Sequence, residues 1–382
     1  MRPTRPFLLC RVSRRSFLAA AALTTLPASS LSVAQGKAPL AAARAAEECP
    51  RCNGVGLVPL LEAKPFVWVE GTPAPKPESA VGEQACPQCG VGGEPAALVA
   101  AWKDRFAAAH EQHAQWKERL GGKLTLVMTR HAALHTQFTT AQARQVGQAL
   151  ETLTLHLKRV AGSLALTPTR LGKYEQVLLW EKPAWEQFRK VMEGLYTSQP
   201  LGEGWYLARD YNSYDHFVTP HLYETPQTSR QRPVTHGPVF LAARRQISAA
   251  TKHLAPTWLA EGFAEYGDHA VHKANRWYTI YDSSRRPPVG DWIAEARRLA
   301  LAGDLRPWDN VIRRELRDWE PNDYVQTLGM VAFLLEAESA KFIDFARKLA
   351  AGEDQLAALE DTFRLKLDEL SERCTRWLAA RR

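Results

Sequence analysis

Two short cysteine motifs of the same form constrain this chain more than any other feature of its sequence. They are C-P-R-C at 49–52 and C-P-Q-C at 86–89, and glycines follow each motif within four residues. Two such turns supply the four thiolates of a closed tetrahedral site, which is typical of structural zinc. The glycines allow the tight backbone that lets amides point at sulfur. The sequence therefore predicts one structural zinc ion, held by Cys49, Cys52, Cys86 and Cys89.

The segment 49–94 resembles a zinc ribbon, because a strand-like stretch at 65–69 and a proline-rich loop separate the two cysteine motifs. Its first half is also similar to the knuckles of J-domain chaperones. Only two of the four repeats of that module occur here, so no chaperone role follows from the similarity. Two other states of the cysteines stay open, a pair of disulfides and a redox dithiol. Haem attachment is excluded because neither motif continues with histidine.

The first 34 residues have the organisation of an export signal. Arg14 and Arg15 precede a mildly apolar stretch at 19–26, and S-V-A at 32–34 supplies the small residues of a cleavage site. The paired arginines resemble a twin-arginine signal, whose substrates cross the membrane already folded. The resemblance implies a periplasmic or cell-envelope location. The leader carries five arginines and no acid, so only +3 of the net charge of +8 belongs to the remaining chain, and no nucleic-acid partner is expected.

The remaining residues predict an α+β fold with a mainly helical C-terminal half. Residues 35–48 form an alanine-rich linker and 95–122 a connecting helix, ahead of a large domain at 123–382. No apolar run reaches the roughly 18–20 residues that a membrane span needs. Within the large domain the hydrophobic periodicity predicts strands at 124–129, 174–180, 204–208 and 213–218, helices at 141–161 and 183–192, and helix almost throughout beyond 235.

One segment of the helical half carries a more specific pattern. The sequence P-T-W-L-A-E-G-F-A-E-Y at 256–266 resembles the W-L-x-E-G-x-A-x-Y helix of the gluzincin metallopeptidases. In that family the glutamate, Glu261 here, is the third zinc ligand after the two histidines of an upstream H-E-x-x-H helix. The region around Tyr324 is similar to the family's helix whose tyrosine stabilises the tetrahedral intermediate. The resemblance implies a gluzincin-like domain over 123–382.

The upstream motif departs from the family pattern. His236 stands 25 residues before Glu261, where the first histidine is expected. Gly237 follows in place of the general-base glutamate, and Phe240 takes the place of the second histidine. Zinc hydrolysis needs three protein ligands and a group that takes the proton of the bound water. One ligand and the base are missing here.

The backbone around Pro238 raises a second objection. Proline is tolerated in the first turn of a helix but clashes with the preceding turn in its interior. The helix should therefore begin near Gly237, with Thr235 as a cap, and His236 should lie off the usual ligand line. Both objections indicate a degraded site, in which His236, Glu261 and Tyr324 are remnants and no residue is confidently catalytic.

Other polar residues offer little to rebuild the site. Glu261, Glu265 and His269 share one helix face at i, i+4 and i+8, a pattern that favours a solvated or ion-paired cluster, with arginines such as Arg244 nearby, over a second metal site. Three further histidines cannot be placed from the sequence: His216, His221 and His253. No nucleophile elbow, phosphate-binding loop or dinucleotide fingerprint occurs.

The sequence favours an exported, non-catalytic homologue of a zinc metallopeptidase that binds or scaffolds extended peptides or other exported proteins. The first alternative is an active metal-dependent hydrolase with unconventional zinc ligands, His236 and Glu261 among them, and Tyr324 as oxyanion donor. The second is a thiol redox or chaperone-like protein that uses the C-x-x-C pairs. Metal content separates the three, since they predict one zinc, two zincs and no zinc per chain.

Overall fold

The structure is a computed structural model of the 382-residue chain. It describes residues 57–59, 66–73, 83–85, 95–120, 123–162, 174–179, 235–252, 254–275 and 290–381, together with 184, 187, 188 and 190. Several predictions lie outside these residues: the export signal, the linker, the four cysteines of the zinc site, the strands at 204–208 and 213–218, and the histidines at 216, 221 and 253.

The described residues contain six strands in two sheets. They are β1 (Leu57–Pro59), β2 (Val67–Val69), β3 (Glu83–Ala85), β4 (Thr125–Thr129), β5 (Ala132–Thr136) and β6 (Tyr174–Leu178). β1 and β3 form an antiparallel pair. The other four strands form one sheet in the order β2-β4-β5-β6, in which only the β5–β6 pair is parallel.

Ten α-helices are seen in the same ranges, and eight of them follow residue 235. They are α1 (Pro95–Leu120), α2 (Thr140–Ala161), α3 (His236–Ala250), α4 (Thr257–His272), α5 (Trp292–Ala302), α6 (Trp308–Ile312), α7 (Pro321–Ala337), α8 (Ser339–Ala350), α9 (Gln355–Phe363) and α10 (Leu367–Ala380). This composition confirms the predicted α+β class with a mainly helical C-terminal half. None of the helices in the described ranges combines the length and the hydropathy of a membrane span.

Helix α2 shows how local sequence produces one of these elements. Thr139 accepts a hydrogen bond from the backbone of Gln142 and the Gln142 side chain reaches back, which is a capping box that fixes the helix start. The apolar residues of the predicted face, Leu150, Leu153 and Leu157, are all buried. Because the helix is amphipathic, this face packs on the sheet and on the C-terminal helices.

The four-stranded sheet has a helix on each face. Successive side chains of a strand point to opposite faces, so Leu126 and Met128 of β4 lie in a small cluster with α1, whereas Val127 lies in the main core with α2. Trp68 of β2 packs on Phe106 of α1, with ring centroids 4.9 Å apart. Thus α1, predicted as a connector, is a layer of the fold, and β2, within the segment assigned to the zinc ribbon, pairs with β4.

A buried polar network lies between α1 and the sheet. His113 of α1 places Nδ1 3.0 Å from Nδ1 of His135 and Nε2 3.0 Å from a carboxylate oxygen of Glu70. Lys117 donates to the other Glu70 oxygen at 2.8 Å. Burial first, and then repulsion from His135, lower the pKa of His113 to about 4. His113 is therefore neutral at pH 7, and donation from its Nε2 to Glu70 leaves Nδ1 to accept from His135.

This network predicts acid sensitivity with a defined range. An unfolded His113 titrates near its ordinary pKa of about 6.5, whereas the folded one titrates near 4. Between these values the unfolded chain binds more protons, so stability present above pH 6.5 is lost as pH falls towards 4, by an amount on the order of 2–3 kcal/mol. Urea unfolding between pH 4 and 8 should show this slope, and His113→Gln should reduce it. An equal slope in the variant would contradict the assignment.

Helix α4 is the central element of the helical half. Its residues 258–268 are all buried, including the predicted packed face of Trp258, Leu259, Phe263 and Tyr266. Two glycines allow close neighbours on two sides. A Cβ on Gly262 would lie 2.6 Å from the Thr327 carbonyl oxygen of α7, and one on Gly267 would lie 2.4 Å from Cβ of Ala243 in α3. The glycine of the W-L-A-E-G segment thus has a packing reason.

Candidate functional site

Helices α3 and α4 carry the residues that the sequence singled out. Helix α3 begins at His236, and Pro238 lies in its first turn, as predicted from the proline. The first helical hydrogen bond runs from the Val239 amide to the Thr235 carbonyl at 3.1 Å, but the Thr235 side chain makes no capping bond. The predicted helix start and Thr235 as the N-cap residue are confirmed, and the cap uses the Thr235 carbonyl without its side chain.

Glu261 forms an ion pair with an arginine of α3. Its side chain is 1% exposed, and its Oε1 lies 3.0 Å from Nη2 of Arg244, whose side chain is 32% exposed. The guanidinium therefore supplies the positive charge that a buried carboxylate needs. The ion pair that the sequence favoured for this glutamate is confirmed.

The residues that resemble the gluzincin site are not grouped as one ligand set among the described residues. Arg244, which contacts Glu261, lies eight residues after His236 on the same helix, which corresponds to about 12 Å along its axis. Phe240, where the family has its second histidine, is completely buried in the hydrophobic core. The residues present therefore do not form the ligand set of the peptidase zinc, and among the described residues His236 is grouped with other possible ligands, Asp268 and His272.

Tyr324 lies in the first turn of α7 and is 4% exposed. Its ring packs edge-on against Trp319, with centroids 4.9 Å apart and an interplanar angle of 73°. The Tyr324 carbonyl accepts a hydrogen bond from the hydroxyl of Thr327 at 3.0 Å. These contacts give the tyrosine a packing role in the region where α7 meets α4.

His236 instead meets two side chains from the last turns of α4. Its Nδ1 lies 2.8 Å from Oδ2 of Asp268, and Nε2 of His272 lies 3.6 Å from the other oxygen of Asp268. The two imidazole rings stack with centroids 3.8 Å apart and an angle of 27°. One ligand atom from each of the three residues can be chosen so that all lie within 4.8 Å of one another, a grouping able to hold a metal ion. We call these three residues the His-Asp-His cluster.

Sequence reasoning missed Asp268 and His272 although a signal was present. The two residues are at i and i+4 on one helix, the same spacing that brings metal-ligating histidines together on other helices. The sequence prediction used the neighbouring face of the same helix, which carries Glu261, Glu265 and His269, and did not include these two residues. Their partner His236 lies 32 residues before Asp268, and no local pattern connects the two.

The neighbouring face forms hydrogen bonds and ion pairs of its own. The Asn275 side chain donates to the backbone and carboxylate oxygens of Glu265 at 2.8 and 2.9 Å, and its Oδ1 lies 3.1 Å from Nδ1 of His269. Burial, and then the nearby charge of Asp268, raise the pKa of Glu265 well above its usual range. The backbone N–H of Asn275 also donates to the Gly290 carbonyl at 2.7 Å, which fixes the asparagine in place.

Comparison of this chain with protein-family models, curated proteins and solved structures finds no match. Its chemistry is therefore inferred from its own residues.

Proposed function

We propose that this chain is an exported, non-catalytic relative of the zinc metallopeptidases that binds or scaffolds extended peptides or other exported proteins. Export follows the twin-arginine route to the periplasm or cell envelope, and one structural zinc ion is held by Cys49, Cys52, Cys86 and Cys89. Residues 123–382 form the gluzincin-like domain in this proposal, and they keep only part of the hydrolytic groups that the resemblance implies.

The ion pair between Arg244 and Glu261 is the observation that carries this proposal. In an active gluzincin the corresponding glutamate coordinates zinc, whereas here the Arg244 guanidinium lies 3.0 Å from the Glu261 carboxylate. A fixed cation at this point makes a metal ion electrostatically unnecessary and repels one that approaches. Gly237 has no group to take a proton, and Phe240 has no atom to bind a metal.

The pairing of β1 with β3 supports the zinc module. Leu57 lies opposite Ala85 in this pair. Leu57 follows Cys52 by five positions, and Ala85 directly precedes Cys86. The two cysteine motifs are thus attached to paired strands, and this proximity is consistent with four ligands of one ion.

The proposal predicts no peptide hydrolysis by the mature chain. General-base loss alone costs roughly 10²–10⁴ in rate, and ligand loss removes the ion. The purified protein, loaded with zinc and incubated with a mixed peptide library, should give product at the rate of buffer alone by mass spectrometry. Addition of a chelator, Glu261→Gln and His236→Ala should each leave that rate unchanged.

The chelator and the two variants also define the result that would contradict the proposal. Cleavage that is lost to the chelator and lost again in both variants would establish a working metal site and overturn the proposal. Retention of library peptides without cleavage, measured by fluorescence anisotropy, is the expected positive result for a binding protein.

A second candidate function, a metal-dependent hydrolase with unconventional ligands, is favoured by one observation. The His-Asp-His cluster could supply three protein ligands, as catalytic zinc sites do. The position after His236 is Gly237, which has no group to take a proton, and the nearby carboxylate of Glu265 already accepts a hydrogen bond from Asn275 at 2.9 Å. The non-catalytic proposal is preferred for this reason.

A further inference from the structure

The His-Asp-His cluster joins the start of one helix to the end of the next. His236 is the first residue of α3, and Asp268 and His272 belong to the last two turns of α4. The side chains of His236 and Asp268 are 5% and 0% exposed, and that of His272 is 15% exposed. The cluster is thus almost completely buried, with access to solvent on the His272 side.

The spacing of the three side chains suits a metal ion. Zinc binds histidine nitrogen and carboxylate oxygen at about 2.0–2.2 Å, so two ligands of a tetrahedral ion lie ~3.4 Å apart. The two contacts made by Asp268, at 2.8 and 3.6 Å, bracket that value. The three ligand atoms lie within 4.8 Å of one another, so the side chains must draw closer for all three to reach one ion.

The surrounding helices hold these ligands in position. Asp268 and His272 are one turn apart on the same face of α4, and His236 is fixed by the packing of α3 along α4. The ligands therefore need little ordering when an ion binds.

We infer that His236, Asp268 and His272 bind one divalent transition-metal ion. Two imidazoles and one carboxylate, without thiolate, suit Zn²⁺, Co²⁺, Ni²⁺ or Fe²⁺. The ion is distinct from the zinc proposed for the cysteine module, and from the peptidase zinc, whose glutamate is occupied by Arg244. Three protein ligands leave a position for water or a small ligand. The inference goes beyond the proposed function, since the ion ties α3 to α4 whether or not the chain hydrolyses anything.

A metal count on the full mature chain tests the inference. Wild type, Asp268→Asn, His272→Gln and the control His269→Ala are loaded with Zn²⁺, dialysed and analysed by inductively coupled plasma mass spectrometry. His269 is on the same helix but outside the cluster. Each ligand variant should hold one zinc fewer than wild type, and the control should hold as many. This difference does not depend on what the cysteine module holds.

Affinity gives a second readout. Loss of a ligand should weaken zinc binding by more than the roughly 10–100-fold that loss of an outer hydrogen-bond partner costs. Competition with a chromophoric chelator measures this change. Far-ultraviolet circular dichroism checks each variant for folding. If Asp268→Asn does not fold, His272→Gln, at the more exposed position, carries the test alone.

Equal zinc content in wild type and ligand variants would overturn the inference and leave a hydrogen-bonded His-Asp-His cluster without metal. Its failure is separable from failure of the proposed function. Zinc binding without peptide hydrolysis supports both, whereas hydrolysis that is lost in Asp268→Asn supports the metal site and overturns the non-catalytic proposal.

Discussion

Gly262→Ala should destabilise the protein by roughly 3 kcal/mol, the upper part of the usual range for overpacking. The added methyl group would lie 2.6 Å from the Thr327 carbonyl oxygen and 2.9 Å from its carbonyl carbon. Both are backbone atoms of α7, so they cannot rotate away and the two helices must separate. Thermal unfolding should show a fall in Tm of about 4–6 °C.

Gly290→Ala is the matched control, because a Cβ there meets nothing within 4 Å. Alanine in place of glycine inside a helix is otherwise favourable by roughly 0.5–1 kcal/mol, so destabilisation at Gly262 would run against the intrinsic preference. A Gly262→Ala variant as stable as wild type would mean that α4 and α7 are not in close contact at this point.

Arg244→Met should destabilise the fold by about 2–3 kcal/mol, because the Glu261 carboxylate loses its neighbouring cation while it stays buried. Breaking a fully buried pair from one side costs roughly 3–5 kcal/mol, and the partial exposure of Arg244 reduces that figure. Glu261→Gln should cost only about 1 kcal/mol, since it removes the charge rather than its partner. Urea unfolding of both variants and of the double variant measures the coupling, and the double variant should be close to Glu261→Gln alone.

The pair formed by Arg298 and Glu295 is a suitable control. Its atoms are 2.8 Å apart, but Arg298 is 57% exposed, so Arg298→Met should cost less than about 1 kcal/mol. If Arg244→Met costs no more than this control, another positive charge neutralises Glu261. A metal ion would then be the first candidate, and the hydrolase alternative would gain support.

Local patterns were sufficient to predict the helices of the C-terminal half and the strands β4 and β6, but they did not predict β5 (Ala132–Thr136) or which strands pair. The helix predicted at 141–161 is observed at Thr140–Ala161, because its capping residues and apolar face all lie within its own sequence. The pairing of Val67–Val69 with β4 could not be predicted in this way. A three-residue strand carries little periodic signal, and its partner lies about sixty residues later with no turn chemistry between them.

In the candidate site, too, local features could be predicted from the sequence but contacts between helices could not. Proline chemistry at Pro238 was enough to predict where α3 begins, and the burial cost of a carboxylate was enough to expect an ion pair for Glu261. The meeting of His236 with Asp268 depends on how α3 packs along α4, which no single helix determines. The distances between elements depend on how the whole core packs, so they cannot be predicted from the local pattern of any one helix.

The hydrogen bond from the backbone N–H of Asn275 to the Gly290 carbonyl affects where this chain can accept insertions. It brings together Asn275 and Gly290, the residues on either side of the stretch 276–289, next to the buried Glu265. Closing a longer stretch costs little, since each doubling of length adds only about 0.6 kcal/mol. Insertions between these two residues should therefore be tolerated by the folded domain, which makes the stretch a natural place for new sequence to be acquired without loss of the core.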